Sequence, residues 1–284
     1  MKEPISTLQT LAIEAGRIML AHRHRSIKMF RKPDGTPVTE VDLAISNLVC
    51  QRIQEQFPDH CLLTEETHKD FVPRSKGFIV DELDGTQAFI RGRKGFAFQA
   101  AYFEEGDDIR AAVIYDPLRD LMLVAEKGKG VQLNTKDKST PIGPMPVRRW
   151  EYLRFAHHRH RMTRTHQKLY RNLSLKAEQI VSTGCVASKV FDFVLGRVDA
   201  LVALNRFIAP WDWAPAKVIL QELGYGLSHL NGKAVHLSDQ PIMENFGYMV
   251  APEVHLPRLT DEVSWIAQKF SSYVPNPVMV RPSC

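Results

Sequence analysis

Apolar residues at Ile5, Leu8, Leu11, Ala12, Ala15, Ile18 and Met19 recur at three-and-four spacing, which predicts a helix over 5–20 with one buried face. The stretch Lys32-Pro33-Asp34-Gly35-Thr36-Pro37 is a polar turn. Beyond it Ala44, Ile45, Leu48, Val49 and Ile53 predict a second helix, capped by Thr39. The apolar runs Cys61 to Leu63 and Phe78 to Val80 are too short for helices and sit between turn signals, so both read as strands. Between Phe96 and Leu133 three or four strand-like segments alternate with turns at Glu105-Gly106-Asp107, Asp116-Pro117 and Gly128-Lys129-Gly130, the pattern of an antiparallel meander.

After Pro146 the pattern changes. A basic helix is expected near Thr163 to Asn172, a helix from Val186 to Leu195 stopped by Gly196, a strand around Ala200 to Leu204, and a helix from Trp213 to Leu223 stopped by Gly224. The second half therefore reads as α/β and the first as α+β. There is no internal repeat and no low-complexity segment, and only the tail with Pro275, Pro277 and Pro282 looks loose.

With 284 residues, 44% of them hydrophobic and 24% charged, the chain can build one large core or two fused halves. Lys2, Glu3, Glu14 and Arg17 interrupt the first twenty residues, and no long apolar run occurs, so a soluble, cytoplasmic protein without a membrane partner is expected. The four cysteines form no C-x-x-C pair, which predicts reduced thiols. A net charge of +5 favours acidic ligands, and a phosphate ester or a nucleic acid would both qualify. The densest basic stretch, His157 to Lys168, lacks the interleaved aromatics that stack bases. It reads as a solvated face or as the wall of an anionic substrate pocket, and nucleic acid is not the expected partner.

Chemistry concentrates in Phe78-Ile79-Val80-Asp81-Glu82-Leu83-Asp84-Gly85-Thr86, an apolar strand running into carboxylates and then a glycine. Three carboxylates within four residues repel one another unless they are solvated or gathered around a cation, and hard oxygen ligands suit Mg²⁺. Asp84-Gly85-Thr86 also permits a sharp turn into a short helix whose first N–H groups face an anion. Taken alone, Asp-Gly is equally an ordinary turn dipeptide. Glu65 and Glu66 follow a short strand and are either ligands or surface charges. Asp212 is either a ligand or the N-cap of the helix it precedes.

With these elements in order the chain resembles the inositol monophosphatase superfamily, which includes inositol monophosphatases, bisphosphate nucleotidases, histidinol-phosphate phosphatases of the same fold and, more distantly, fructose bisphosphatases. The resemblance spans residue 5 to about 250. It rests on Val80-Asp81-Glu82-Leu83-Asp84-Gly85-Thr86, on Trp211-Asp212-Trp213-Ala214-Pro215-Ala216 through Leu223-Gly224-Tyr225-Gly226, on Glu65-Glu66, and on Pro37-Val38-Thr39-Glu40-Val41-Asp42. It implies a layered α/β/α/β/α sandwich, with an α+β half over 1–147 carrying the metal-binding motif and an α/β half over 148–284 supplying the last aspartate. The activity implied is Mg²⁺-dependent hydrolysis of small-molecule phosphate monoesters with two or three ions. One metal would be held by Glu65, Asp81 and the Leu83 carbonyl, and a second by Asp81, Asp84 and Asp212. Two such cations, about 4 Å apart, activate water and stabilise the leaving oxygen. Thr86, with Glu65 and Asp42 behind it, would orient the water, and the backbone amides of Gly85 and Thr86 would hold phosphate oxygens. The resemblance also implies a homodimer inhibited by Li⁺.

Asp42 fits a capping box with Thr39 as well as a catalytic role. Lys32 sits where bisphosphate nucleotidases carry a lysine that can ease the negative potential of bound phosphate, and it fits a surface charge too. Glu82 departs from the family, which usually has proline there; it would strengthen metal binding, shift the loop or face solvent. Asn205, followed by Arg206, stands where inositol monophosphatases carry an acidic residue that contacts inositol hydroxyls, and an amide beside a cation suits a second anionic group. Nucleoside bisphosphate therefore ranks first as substrate, inositol or another sugar phosphate second, and histidinol phosphate third. The competing expectation is an inactive protein of this fold that binds RNA or a protein through residues 157–168.

Overall fold

The computed structural model describes residues 3–32, 35–67, 76–105, 108–158, 163–204, 207–237, 243–244 and 247–271. Helix α1 (Pro4–His22) starts with Pro at its first turn and buries Leu8, Leu11, Ala12, Ala15 and Met19. A hairpin of β1 (Met29–Arg31) and β2 (Pro37–Thr39) leads into α2 (Glu40–Gln56), where Thr39 and Asp42 form a reciprocal capping box. The buried face of α2 is Val41, Asp42, Ile45, Ser46, Val49 and Ile53. The expected face is thus rotated, with Ala44 in solvent, because the cap draws Asp42 inward.

A seven-stranded sheet follows in chain order, from β3 (Cys61–Thr64) and β4 (Gly77–Asp84), then, beyond the short helix α3 (Thr86–Ile90), β5 (Ala97–Glu104), β6 (Asp108–Asp116), β7 (Leu121–Glu126), β8 (Gly130–Asn134) and β9 (Ser139–Ile142). Only β3 and β4 are parallel; the rest is the expected meander. The remaining chain gives β10 (Phe155–His158), α4 (Arg164–Asn172), β11 (Ile180–Thr183), α5 (Val186–Val194), β12 (Ala200–Ala203), β13 (Phe207–Ile208), α6 (Pro210–Glu222), β14 (Tyr225–His229), β15 (Met243–Glu244), β16 (Tyr248–Pro252) and α7 (Leu256–Ser271). Five of these strands form a mixed sheet in the order β11-β10-β12-β16-β14.

Strand alternation assigns the layers. Phe78 and Val80 of β4 pack with α1 and α2, whereas Ile79 packs with Trp213, Ala214 and Ile219 of α6. On the second sheet Leu201 and Ala203 face α5 and α6, while Ala200 and Val202 face Leu169 of α4 and Leu259, Val263 and Ile266 of α7. The order is helices, sheet, helices, sheet, helices, as the resemblance implied. No helix among the described residues is long and apolar enough to cross a membrane.

Candidate metal centre

The acidic site is made by an irregularity in β4. The strand pairs with β5 in step from Gly77 opposite Phe103 to Asp81 opposite Gln99, then slips by one residue so that Asp84 lies opposite Ala97. Residues three apart in a regular strand point to opposite faces; the extra residue of a bulge puts Asp81 and Asp84 on the same side. The Leu83 N–H, freed from the ladder, donates to Asp81 Oδ1 at 3.0 Å, and Gln99 Nε2 donates to its Oδ2 at 3.2 Å.

The third aspartate comes from the middle helical layer. Helix α6 begins at Pro210, three residues earlier than expected, because Pro210 fixes the first helical φ. Asp212 is therefore not the N-cap; its Oδ2 reaches back to accept from the Ala209 N–H at 3.2 Å. Carboxylate oxygens of Asp81, Asp84 and Asp212 all lie within 4.8 Å of one another, with Asp81 and Asp84 buried and Asp212 half-buried. Asp84 Oδ2 accepts from the Ala187 N–H at 2.6 Å, so the start of α5 also converges here.

Electrostatics show what this arrangement costs. Burial pushes Asp81 well above the usual carboxylate range, and the charges of Glu65, Asp84, Asp212 and Glu82 push it further. Burial also raises Asp84, against the Ala187 N–H, the Cys185 thiol and the Lys189 ammonium, which favour its ionised form. Asp212 is pushed up to about 7 by burial and then by Asp84 and Glu65. Buried like charges of this kind are stable only when protonated or neutralised by a cation. An all-oxygen, mutually repelling donor set fits a hard divalent cation such as Mg²⁺ and lacks the thiolate or imidazole that favours zinc.

Glu65 is not part of the three-carboxylate cluster. Its Oε1 accepts from Lys32 Nζ at 2.7 Å, and the same ammonium lies 2.9 Å from Glu66 Oε1. Lys32 is thus no loose surface charge. Burial works against its charged form, but Glu65 and Glu66 outweigh burial and hold its pKa above the ordinary lysine value. Glu66 is raised to about 7, chiefly by burial. Asp42 is likewise raised by burial, despite accepting from the Thr39 N–H at 2.9 Å and the Thr39 hydroxyl at 2.5 Å. Its other oxygen lies 3.4 Å from Thr86 Oγ1, so the capping box and a contact with the site coexist. Thr86 Oγ1 also lies 3.0 Å from the Leu83 carbonyl. Asn205 and Arg206 lie outside the described residues.

Two polar side chains at the centre were not singled out from the sequence. Gln99 is a fully buried amide in the otherwise apolar run of β5, and Lys189 is a buried ammonium on α5 that donates to the Gly184 carbonyl at 2.8 Å. The signal in each case is a polar residue within an apolar stretch. The basic run 157–168 is solvated only in part: Arg164, Gln167 and Lys168 are exposed on α4. Arg159 to Met162 lie outside the described residues, while His157 and His166 are buried, ring to ring at 5.0 Å, rather than on a solvated face. Burial lowers both pKa values, His166 to about 4, so these rings are neutral and enter the core.

Glu82 does not face solvent. It is 1% exposed and sits on the α2 side of the sheet beside Ser46 and Thr64, whose hydroxyls favour its ionised form, and near Cys50. Burial raises it to about 8 from an ordinary value of 4.5. A raised folded-state pKa means that stability is unaffected below about 4.5 and falls as pH rises through 8, where the folded protein retains a proton that the unfolded chain releases. Glu82→Gln, which does not titrate, is expected to be more stable than wild type by roughly 1–3 kcal/mol at pH 8, and by much less at pH 5. Urea denaturation in EDTA at the two pH values checks this, and an equal difference at both would contradict it.

The inositol monophosphatase family pattern matches residues 1–268. Over 226 residues the chain is 29% identical to the inositol-1-monophosphatase of Bacillus subtilis (strain 168), covering 78% of this chain and 83% of that protein. It is 25% identical over 218 residues to Nus factor SuhB of Escherichia coli (strain K12), with 73% of this chain and 77% of that protein covered. The structure of the Thermotoga maritima IMPase TM1415 superposes with a TM-score of 0.76 at 23% identity, covering 92% of this chain and 96% of that one, which establishes the shared fold. By the extent of the family match, this chain belongs to the inositol monophosphatase family.

Proposed function

We propose that the chain is a Mg²⁺-dependent phosphatase acting on small-molecule phosphate monoesters, and that a nucleoside bisphosphate is its preferred substrate class, ahead of inositol or other sugar phosphates. The observation that carries the reading is the buried triad Asp81, Asp84 and Asp212, a repulsive arrangement that a chain without need of cations would relax by a single substitution. These three carboxylates would hold the ions, with Glu65 and the Leu83 carbonyl at the border. When bound, divalent cations supply charge neutralisation of phosphoryl oxygens and a lowered pKa for water.

The remaining chemistry belongs to the protein. Thr86 Oγ1 lies 3.4 Å from Asp42 Oδ1, so its hydroxyl can accept a hydrogen bond from the attacking water while donating to Asp42. Thr39 fixes the opposite Asp42 oxygen and keeps the acceptor aimed. The backbone amides of Gly85 and Thr86, which precede the Ala88 and Phe89 N–H groups that donate to the Gly85 carbonyl, suit phosphate oxygens. Lys32 holds Glu65 in place and neutralises part of the local excess of acid. A homodimer inhibited by Li⁺ belongs to the same reading.

Phosphate release from a nucleoside bisphosphate, an inositol monophosphate, histidinol phosphate and fructose bisphosphate, with and without Mg²⁺, tests it. Turnover of at least one ester that stops on removal of Mg²⁺ is expected. No turnover of any, together with salt-sensitive RNA affinity, would favour the inactive binding protein.

A further inference from the structure

The Asp81 carboxylate is held from two sides, by the Leu83 N–H at Oδ1 and by Gln99 Nε2 at Oδ2. The first bond is local to the bulge of β4. The second crosses to β5, where Gln99 stands directly opposite Asp81 in the ladder. Opposed residues of an antiparallel pair share a face. Along that face Ala97 and Ala101 of β5 and Ile114, opposite Gln99 on β6, are all buried in the apolar core packed against α6. Gln99 itself is fully buried, and its Oε1 has no hydrogen-bond partner among the described residues. A half-satisfied amide is a poor way to fill a core, since an apolar side chain of similar size would pack there without the polar cost. What the amide provides is its bond to Asp81.

We infer that Gln99 is a positioning residue of the metal centre: its amide fixes the Asp81 carboxylate in the orientation that divalent cations bind, and so sets their affinity. The inference rests on the phosphatase reading in taking Asp81 as a cation ligand, and it deepens that reading by naming a residue that controls the ligand. Each carboxylate oxygen offers two lone-pair directions. With one direction on each Asp81 oxygen taken by a donor, the group is held against rotation while the other directions stay free for cations. Without Gln99 only the Oδ1 contact remains, and repulsion from the oxygens of Asp84 and Asp212, within 4.8 Å, can turn the carboxylate away. Hydrogen bonds that orient a metal ligand in this way are worth about ten- to hundredfold in metal affinity.

Gln99→Met keeps the length and approximate volume of the side chain and removes the donor. In calorimetric titration of metal-free protein its Mg²⁺ affinity should be about ten- to hundredfold weaker than that of wild type. Its melting temperature without metal should stay within a few degrees of wild type, because loss of one hydrogen bond is offset by removal of an unpartnered oxygen. Ile114→Val is the control. It loosens the packing beside Gln99, so it should lower the metal-free melting temperature and leave Mg²⁺ affinity within about twofold. Unchanged Mg²⁺ affinity in Gln99→Met, failure of that variant to fold, or an equal loss of affinity in Ile114→Val would each overturn the inference and make Gln99 a packing residue. Phosphate release separates the two readings. Mg²⁺-dependent turnover with the same Mg²⁺ requirement in wild type and Gln99→Met would keep the phosphatase and remove the positioning role. Mg²⁺ affinity that depends on Gln99, without turnover of any ester, would keep the positioning role and end the phosphatase reading.

Discussion

Asp81→Asn is expected to abolish Mg²⁺-dependent phosphate release while making the metal-free protein more stable. Asp81 is 2% exposed and bears the repulsion of Glu65, Asp84, Asp212 and Glu82 at once. A side chain whose folded-state pKa is raised lowers stability at neutral pH, so its neutral isostere relieves that cost, by about 1–3 kcal/mol. In EDTA the melting temperature should rise by several degrees, at roughly 2–4 °C per kcal/mol for a chain of this size. Added Mg²⁺ should stabilise wild type and leave the variant almost unchanged. Activity should fall by about a thousandfold or more, since an asparagine cannot replace a charged ligand. Were Asp81 a structural residue, the substitution would instead lower the melting temperature with and without metal.

The second large effect is expected at Gly85. Its φ is +88°, and a Cβ there would lie 2.4 Å from the Gly95 carbonyl oxygen and 3.1 Å from Phe96 Cα, both backbone atoms held by the turn into β5. Gly85→Ala must move that backbone, and with it the segment joining Asp84 to Thr86. A loss of roughly 3 kcal/mol or more, with loss of activity, is expected from left-handed strain and the clash together. Gly92 provides the comparison, because its φ is +63° but nothing lies within 4 Å of an added Cβ. Gly92→Ala should cost only about 1 kcal/mol. Equal effects in denaturant titrations would show that the Gly85 turn can yield.

Several of these features were legible in the sequence. Periodicity found α1, α2, α5 and the meander, and an apolar strand ending in closely spaced carboxylates marked the centre. The bulge was not legible, because nothing in Asp81-Glu82-Leu83-Asp84 distinguishes an extra residue from regular alternation, and only the slip against β5 reveals that the two aspartates share a face. Helix α6 starts ahead of the expected Trp213 because Pro210, whose fixed φ suits a first helical position, begins it. A run of histidines and arginines suggested solvent by composition, yet a neutral imidazole packs like any aromatic ring, and His157 and His166 do so. Lys189 and Gln99 needed the tertiary structure, which alone shows that α5 and β5 converge on the aspartates of β4 and α6.

The central claim is that the triad exists to hold divalent cations, and calorimetric titration with Mg²⁺ in buffers of different protonation enthalpy tests it most directly. Asp212, raised to about 7, together with Asp81 and Asp84, retains protons in the metal-free protein that a cation must displace. Binding should therefore release protons, tighten as pH rises towards 8, and vanish in Asp81→Asn. Mg²⁺ binding that is absent, or that is the same in wild type and Asp81→Asn and independent of pH, would contradict the account.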